Sequence, residues 1–276
     1  MTRRTRRAAD LSVAVAIALV AIACSSGGGG ASPAVDASRG GPLTIYAAAS
    51  LKGALAALSP AWEAAHPGSP LTISTESSAA LETQIEQGAP ADVFVSADTK
   101  SPAKLAGMGL TDGAAIPVAR NVLALVVPRA NPAAVTSPAD LARPGTRIIA
   151  AGEGVPITTY AEKLAANLAA LDGYGLDFPS RYAANVVSRE DNVTAVVAKV
   201  ALGEGDAGIV YQTDALAATG VATVPIPEAA NVSADYAGVV VGASPHRAMG
   251  HAFLDWLAGP SGQGILATFG FRSPTG

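Results

Sequence analysis

The chain has 276 residues, 50% hydrophobic and only 14% charged, with a formal net charge of −4 and one cysteine. That length can bury a sizeable core or build two lobes. A single cysteine excludes an internal disulfide, and no basic run occurs beyond the first residues, which argues against a nucleic-acid partner.

The first element is not part of the fold. "MTRRTRRAAD" carries four arginines, and the 13 residues "LSVAVAIALVAIA" lead to Cys24. A basic start, a short apolar run and small residues before the junction predict an export signal over 1–23. The run is shorter than the roughly 20 apolar residues of a membrane span. "AIAC" followed by "SSGGGG" resembles a bacterial lipobox, with Ala21 where leucine is usual, so Cys24 is the expected lipidation site. Residues 24–41 then read as a flexible Gly/Ser/Ala/Pro tether. Removing 1–23 takes away four arginines and one aspartate and moves the net charge from −4 to −7. An anionic ligand therefore has to be recognised locally rather than by the overall field.

From there short β-branched runs alternate with helical patterns. Strands are expected at 43–47, 71–75, 92–96, 122–127, 147–150, 207–211, 222–226 and 238–242, and helices near 51–65, 79–87, 100–107, 158–171, 191–203 and 246–268. Near-continuous apolar strands between helices imply α/β architecture with parallel sheets covered on both faces. In the first helix Leu51, Leu55, Leu58 and Trp62 fall on one face. Pro60 interrupts the pattern, so the helix kinks there or a second segment starts at Ser59-Pro60. Chain crossings near 120–123 and 235–239 would divide the fold into two doubly wound lobes joined by two hinge strands, with a ligand cleft between them. The expected limits are 42–121 plus 238–276 for one lobe and 122–237 for the other.

Catalytic signatures are absent: there is no G-x-S-x-G elbow, no phosphate-cradling loop and no G-x-G-x-x-G after a strand. His66, His246 and His251 fall outside the strand–helix junctions, which leaves a secreted hydrolase using Ser50 or Ser78 without a base. Asp92 and Asp98 bracket one strand about 20 Å apart by strand rise and cannot share a site; Asp98 is expected to cap the next helix. What recurs is a small polar residue or bare backbone at helix starts: Ser50, Ser77-Ser78, Pro156, and Glu190 to Asn192. Each such N-terminus carries unpaired N–H groups and partial positive charge, which suits an anion.

"YAAASL", "SSAALETQIEQGAPADVFVSAD" and "GDAGIVYQTDA" resemble the molybdate-binding proteins of bacterial ABC importers, from about Leu43 to the "FGF" ending at 271. The resemblance implies a periplasmic-binding-protein fold and no catalysis. It implies an oxyanion held by serine hydroxyls, backbone amides and a tyrosine hydroxyl. Matched by motif, these are Ser50, Ser78, the amides of Ile157 and Val193, and Tyr211. At "GVPITTY" the chain departs from the family, where a small residue and a glycine often follow the proline; Thr158 or Thr159 could supply a hydroxyl there instead.

The resemblance further implies an exported protein, lipid-anchored through Cys24 or periplasmic, that is monomeric. It would deliver molybdate, and tungstate as well, to an ABC permease, with no cofactor and no directly coordinated metal. A donor-only shell fits a fully ionised oxyanion, since each hydrogen bond to a charged acceptor contributes about 1.5–3 kcal/mol. A carboxylate in the shell would instead select a protonated ligand such as hydrogen phosphate. Glu76, Glu190 and Asp191 are the nearest candidates in sequence, and sulfate is the alternative ligand.

Overall fold

The structure, a computed structural model, describes residues 41–274. The expected signal, Cys24 and the tether up to residue 40 lie outside the described residues. The chain opens with strand β1 (Leu43–Ala48), a 3₁₀ turn (Ala49–Leu51) and helix α1 (Lys52–Ala65). Then come β2 (Leu71–Glu76), α2 (Ser78–Glu86), β3 (Val93–Ser96) and α3 (Lys100–Gly107). The long strand β4 spans Thr111–Pro128. Beyond it lie β5 (Ile148–Ala151), α4 (Pro156–Ala169), α5 (Phe178–Ala184), β6 (Val186–Glu190) and α6 (Val193–Ala201). The chain ends with β7 (Gly208–Tyr211), α7 (Gln212–Ala217), β8 (Val221–Val224), β9 (Ser233–Val241), α8 (Arg247–Ala258) and α9 (Pro260–Thr268).

The fold is α/β with two lobes, and β4 and β9 tie them together. A seven-stranded sheet runs β2-β1-β3-β9-β4-β7, with β8 also on β4, and β5 pairs with β6 separately. The β1–β2, β1–β3 and β5–β6 pairs are parallel. Pairings of β9 with β3 and β4, and of β4 with β7 and β8, are antiparallel. The sheet is therefore mixed where the sequence suggests parallel strands throughout. β4 pairs with β9 up to Val122↔Ser233, then continues alone to pair with β7 from Leu123 and β8 from Leu125. One strand thus serves both halves.

Leu51, Leu55, Leu58 and Trp62 are fully buried, as the 3–4 spacing requires. Burying each such side chain stabilises the fold by about 1.5–3 kcal/mol relative to leaving it exposed. Pro60 sits inside α1, which runs from Lys52 to Ala65 as one helix, so no second segment starts there. At the far end of the chain, the single expected helix over 246–268 is two. Gly259 is extended (φ −82°, ψ 177°) and Pro260 opens α9. Proline at the first helical position disfavours the helical region for its predecessor, which breaks an otherwise continuous apolar pattern.

The start of β4 does not stand out in the sequence, because "TDGAAIPVARN" carries Gly, Pro and polar residues. Its register against β9 shifts between Asp112 and Ile116 and again between Pro117 and Ala119. Such irregularities are where a strand accommodates proline. Helix α8 lies close on the sheet: a Cβ at Gly238 would come within 2.4 Å of Leu254 Cδ2 and force that side chain to shift.

Candidate functional site

The strand–helix junctions converge. Ser50, Ser78, Ile157, Val193 and Tyr211, five residues spread over 162 positions of sequence, line one small cavity. It offers about 10 Å³ for the centre of a water-sized sphere, the scale of one water molecule. Ala48, Ala49 and Ala97 complete part of the wall without obstructing the polar groups.

Each of the five reaches the cavity differently. Ser50 lies in the 3₁₀ turn between β1 and α1, and no side-chain cap is made at the start of either helical segment. Its Oγ is 2.8 Å from the Tyr236 hydroxyl. Ser78 is the first residue of α2, whose cap is Ser77, through a bond from the Ala80 N–H to the Ser77 hydroxyl. Ser78 Oγ accepts the Ala97 N–H at 3.0 Å. With that lone pair occupied, its proton is free to point into the cavity.

Ile157 is the second residue of α4, behind Pro156, and Val193 is the first residue of α6, capped by Asn192 accepting the Ala195 N–H. First-turn N–H groups have no intrahelical acceptor. Thr158 does not replace them: its hydroxyl donates to the carbonyls of Ala151 and Gly152 at 3.0 and 2.8 Å.

Tyr211 ends β7 and is 2% exposed, and its hydroxyl has no hydrogen-bond partner among the described residues. Burial raises its pKa well above the usual 10, so the hydroxyl stays a donor at neutral pH. Buried polar groups are almost always partnered. Tyr160 and Tyr236 pack edge-on against its ring, with centroids 6.3 and 5.7 Å away, and fix its orientation.

No lining residue carries a carboxylate or a cationic side chain. Glu76 turns aside: its Oε1 accepts from the Ser77 N–H at 2.8 Å and from Asn192 Nδ2 at 2.6 Å. Glu190 accepts from the Ser188 hydroxyl and pairs with Lys199 at 2.9 Å. Burial works to raise its pKa, but those two partners outweigh burial and hold it below the usual carboxylate value. Asp191 lines a separate depression together with Glu76 and Glu190. The cap of α3 is Thr99, which makes no side-chain bond; Asp98, one residue ahead of it, accepts the Ser101 N–H at 3.0 Å. The histidines lie elsewhere: His66 stacks on Trp62, His246 bonds Asp92 and His251 bonds Asp112. No base therefore lines the cavity beside either serine.

A much larger cavity, about 550 Å³, adjoins Ser50 and is lined by residues of α1, α6 and α7, with Lys52 and Asp214 of opposite charge among them, and by Phe269 and Phe271. Volume favours that cavity and donor density favours the small one. For a small anion, donors decide.

The family profile of bacterial extracellular solute-binding proteins matches residues 43–272. The chain is a bacterial extracellular solute-binding protein. It is 35% identical over 244 residues to the molybdate-binding protein ModA of Mycobacterium tuberculosis strain H37Rv, covering 88% of this chain and 89% of that one. The periplasmic molybdate-binding protein of Azotobacter vinelandii superposes with a TM-score of 0.69 at 25% identity, over 83% of this chain and 98% of that one. The sulfate-binding protein SubI of M. tuberculosis shares the fold, with a TM-score of 0.75 at 23% identity over 84% and 87% of the two chains. The solute-binding family thus accounts for nearly all of the described residues. Two residues behind the site carry no signal in the sequence. Asn121 and Tyr236 stand behind Ser50, on the crossing strands, and the expected crossings near 120–123 and 235–239 place them only by position.

Proposed function

We propose that this solute-binding protein captures molybdate, and tungstate with it, in the cavity formed by Ser50, Ser78, Ile157, Val193 and Tyr211. The observation that carries the reading is the buried Tyr211 hydroxyl, unpartnered among the described residues, at a half-open cavity ringed by donors and free of carboxylates. A fully ionised tetrahedral oxyanion accepts hydrogen bonds on every side and supplies the missing partner. The choice of molybdate over sulfate draws on the ModA relative.

The protein binds its ligand and does no chemistry on it. Lobes comprising 42–121 plus 238–276 and 122–237 close on the ion by bending at β4 and β9, and the closed form is what an ABC permease engages. β4's change of partners after Val122 supports that division. Export by the 1–23 signal and a lipid on Cys24 would hold the monomer at the outer face of the membrane. Titration calorimetry with molybdate, tungstate, sulfate and phosphate tests the reading. Molybdate and tungstate are expected to bind tightly and phosphate not at all. Preference for sulfate, or no binding of any, overturns it.

A further inference from the structure

A serine hydroxyl can donate or accept, and only a donating hydroxyl serves an anion. Ser78 has its oxygen occupied by a backbone N–H. Ser50 has no such backbone partner; what it has is Tyr236, 2.8 Å away, where either oxygen could donate. The surroundings resolve the direction. Asn121 Oδ1 accepts the Val122 N–H at 3.0 Å, which fixes the amide so that Nδ2 faces the other way. Nδ2 donates to Thr213 Oγ1 at 2.9 Å and presents its second hydrogen to the Tyr236 oxygen at 3.5 Å. With the positive end of the amide on its oxygen, Tyr236 has its own proton to give, and a phenol is the stronger donor of a phenol–alcohol pair. Ser50 then accepts from Tyr236 and its proton is left for the cavity.

We propose that Asn121 and Tyr236 are positioning residues that set the polarity of Ser50, a relay running Asn121 to Tyr236 to Ser50 to the bound anion. Both are 1% exposed, so water does not compete for these contacts. They also sit on the hinge strands, with Tyr236 opposite Ala119 and Asn121 opposite Ala234. The donor direction at Ser50 is therefore set from the strands that join the lobes. The relay rests on the reading of this cavity as an oxyanion site.

The test is a double-mutant cycle on the full chain, with sodium molybdate affinity measured by calorimetry and folding checked by thermal melting. Ser50→Ala is expected to weaken binding roughly ten- to hundredfold. Tyr236→Phe, which leaves Ser50 in place but undirected, is expected to weaken it roughly three- to tenfold. In the Ser50→Ala background Tyr236→Phe should have no further effect, because there is no hydroxyl left to direct. A merely structural tyrosine would give the same loss in both backgrounds. A neutral Tyr236→Phe, or losses that add, overturns the relay while leaving the site intact. If Ser50→Ala itself changes nothing, the relay and the placing of Ser50 in the site fall together. Should Tyr236→Phe not fold, Asn121→Ala completes the same cycle: loss only when Ser50 is present supports the relay, and equal loss in both backgrounds overturns it.

Discussion

The two halves of the molecule bring different chemistry to one cavity. The half built on β1 and β2 contributes side-chain hydroxyls, Ser50 and Ser78. The half built on β5, β6 and β7 contributes the first-turn amides of α4 and α6, and Tyr211. An amide at a helix start is aimed by the helix itself and tolerates almost any side chain. A hydroxyl rotates, so it needs a neighbour to set its direction; Ala97 does this for Ser78 and Tyr236 for Ser50. The first half is thus vulnerable to side-chain changes, and the second to changes in the backbone and at the Tyr211 side chain.

The largest effect should come from Ser78→Ala. It removes a donor to the anion and strands the buried Ala97 N–H, so affinity should fall roughly ten- to hundredfold and stability by about 1–3 kcal/mol. Calorimetry and denaturant unfolding read the two losses separately, and a change in neither would break the comparison on the hydroxyl side.

On the amide side the sharpest probe is Val193→Pro. Proline is accepted at the first helical position, and Asn192 before it is already extended (φ −156°, ψ 170°), as a residue preceding proline should be. The N–H is lost, and the buried valine side chain gives way to the proline ring. Molybdate affinity should drop by about 1.5–3 kcal/mol with the melting temperature nearly unchanged. Val193→Ala, which keeps the N–H, should bind within about threefold of the parent, an effect of the size of an ordinary packing change. Equal losses in the two variants would contradict an amide role.

A smaller effect is expected at Asp214 on α7, whose Oδ2 is enclosed without a partner. Desolvation pushes its pKa up to about 7. A carboxyl that holds its proton more tightly when folded stabilises the fold fully below its ordinary unfolded value near 4. That contribution is lost as pH rises through about 7. Melting temperatures of the parent and Asp214→Asn should therefore diverge in favour of the variant between pH 4 and 8. Parallel curves would contradict this.

Much of this is legible in the sequence where pattern and position coincide. The α1 stripe can be read because four buried side chains recur at helical spacing; the helix starts of the cavity can be read as junctions, while Tyr211 and the choice of the Ile157 and Val193 amides come from the family resemblance. Strand β6 escapes notice because "VVSRE" is only partly buried and lacks an apolar run. The short α5 and α7 are too brief to show a period. Asn121 and Tyr236 look ordinary in sequence, since their meaning arises only when β4 and β9 pair and bring them behind Ser50, 186 residues from Tyr236. Ser50 sits at a helix start in the sequence, and the 3₁₀ turn leaves it making no side-chain cap, with its hydroxyl beside Tyr236.

The claim that the cavity is a donor shell completed by an anion is tested most directly by melting and molybdate titration of Tyr211→Phe beside the parent protein. Without ligand the parent carries a buried, unpartnered hydroxyl. Removing it should raise stability by about 1–3 kcal/mol while weakening molybdate binding by about 1.5–3 kcal/mol. Opposite signs are the expected result. Lower stability without ligand, or an affinity equal to the parent's, would contradict the account.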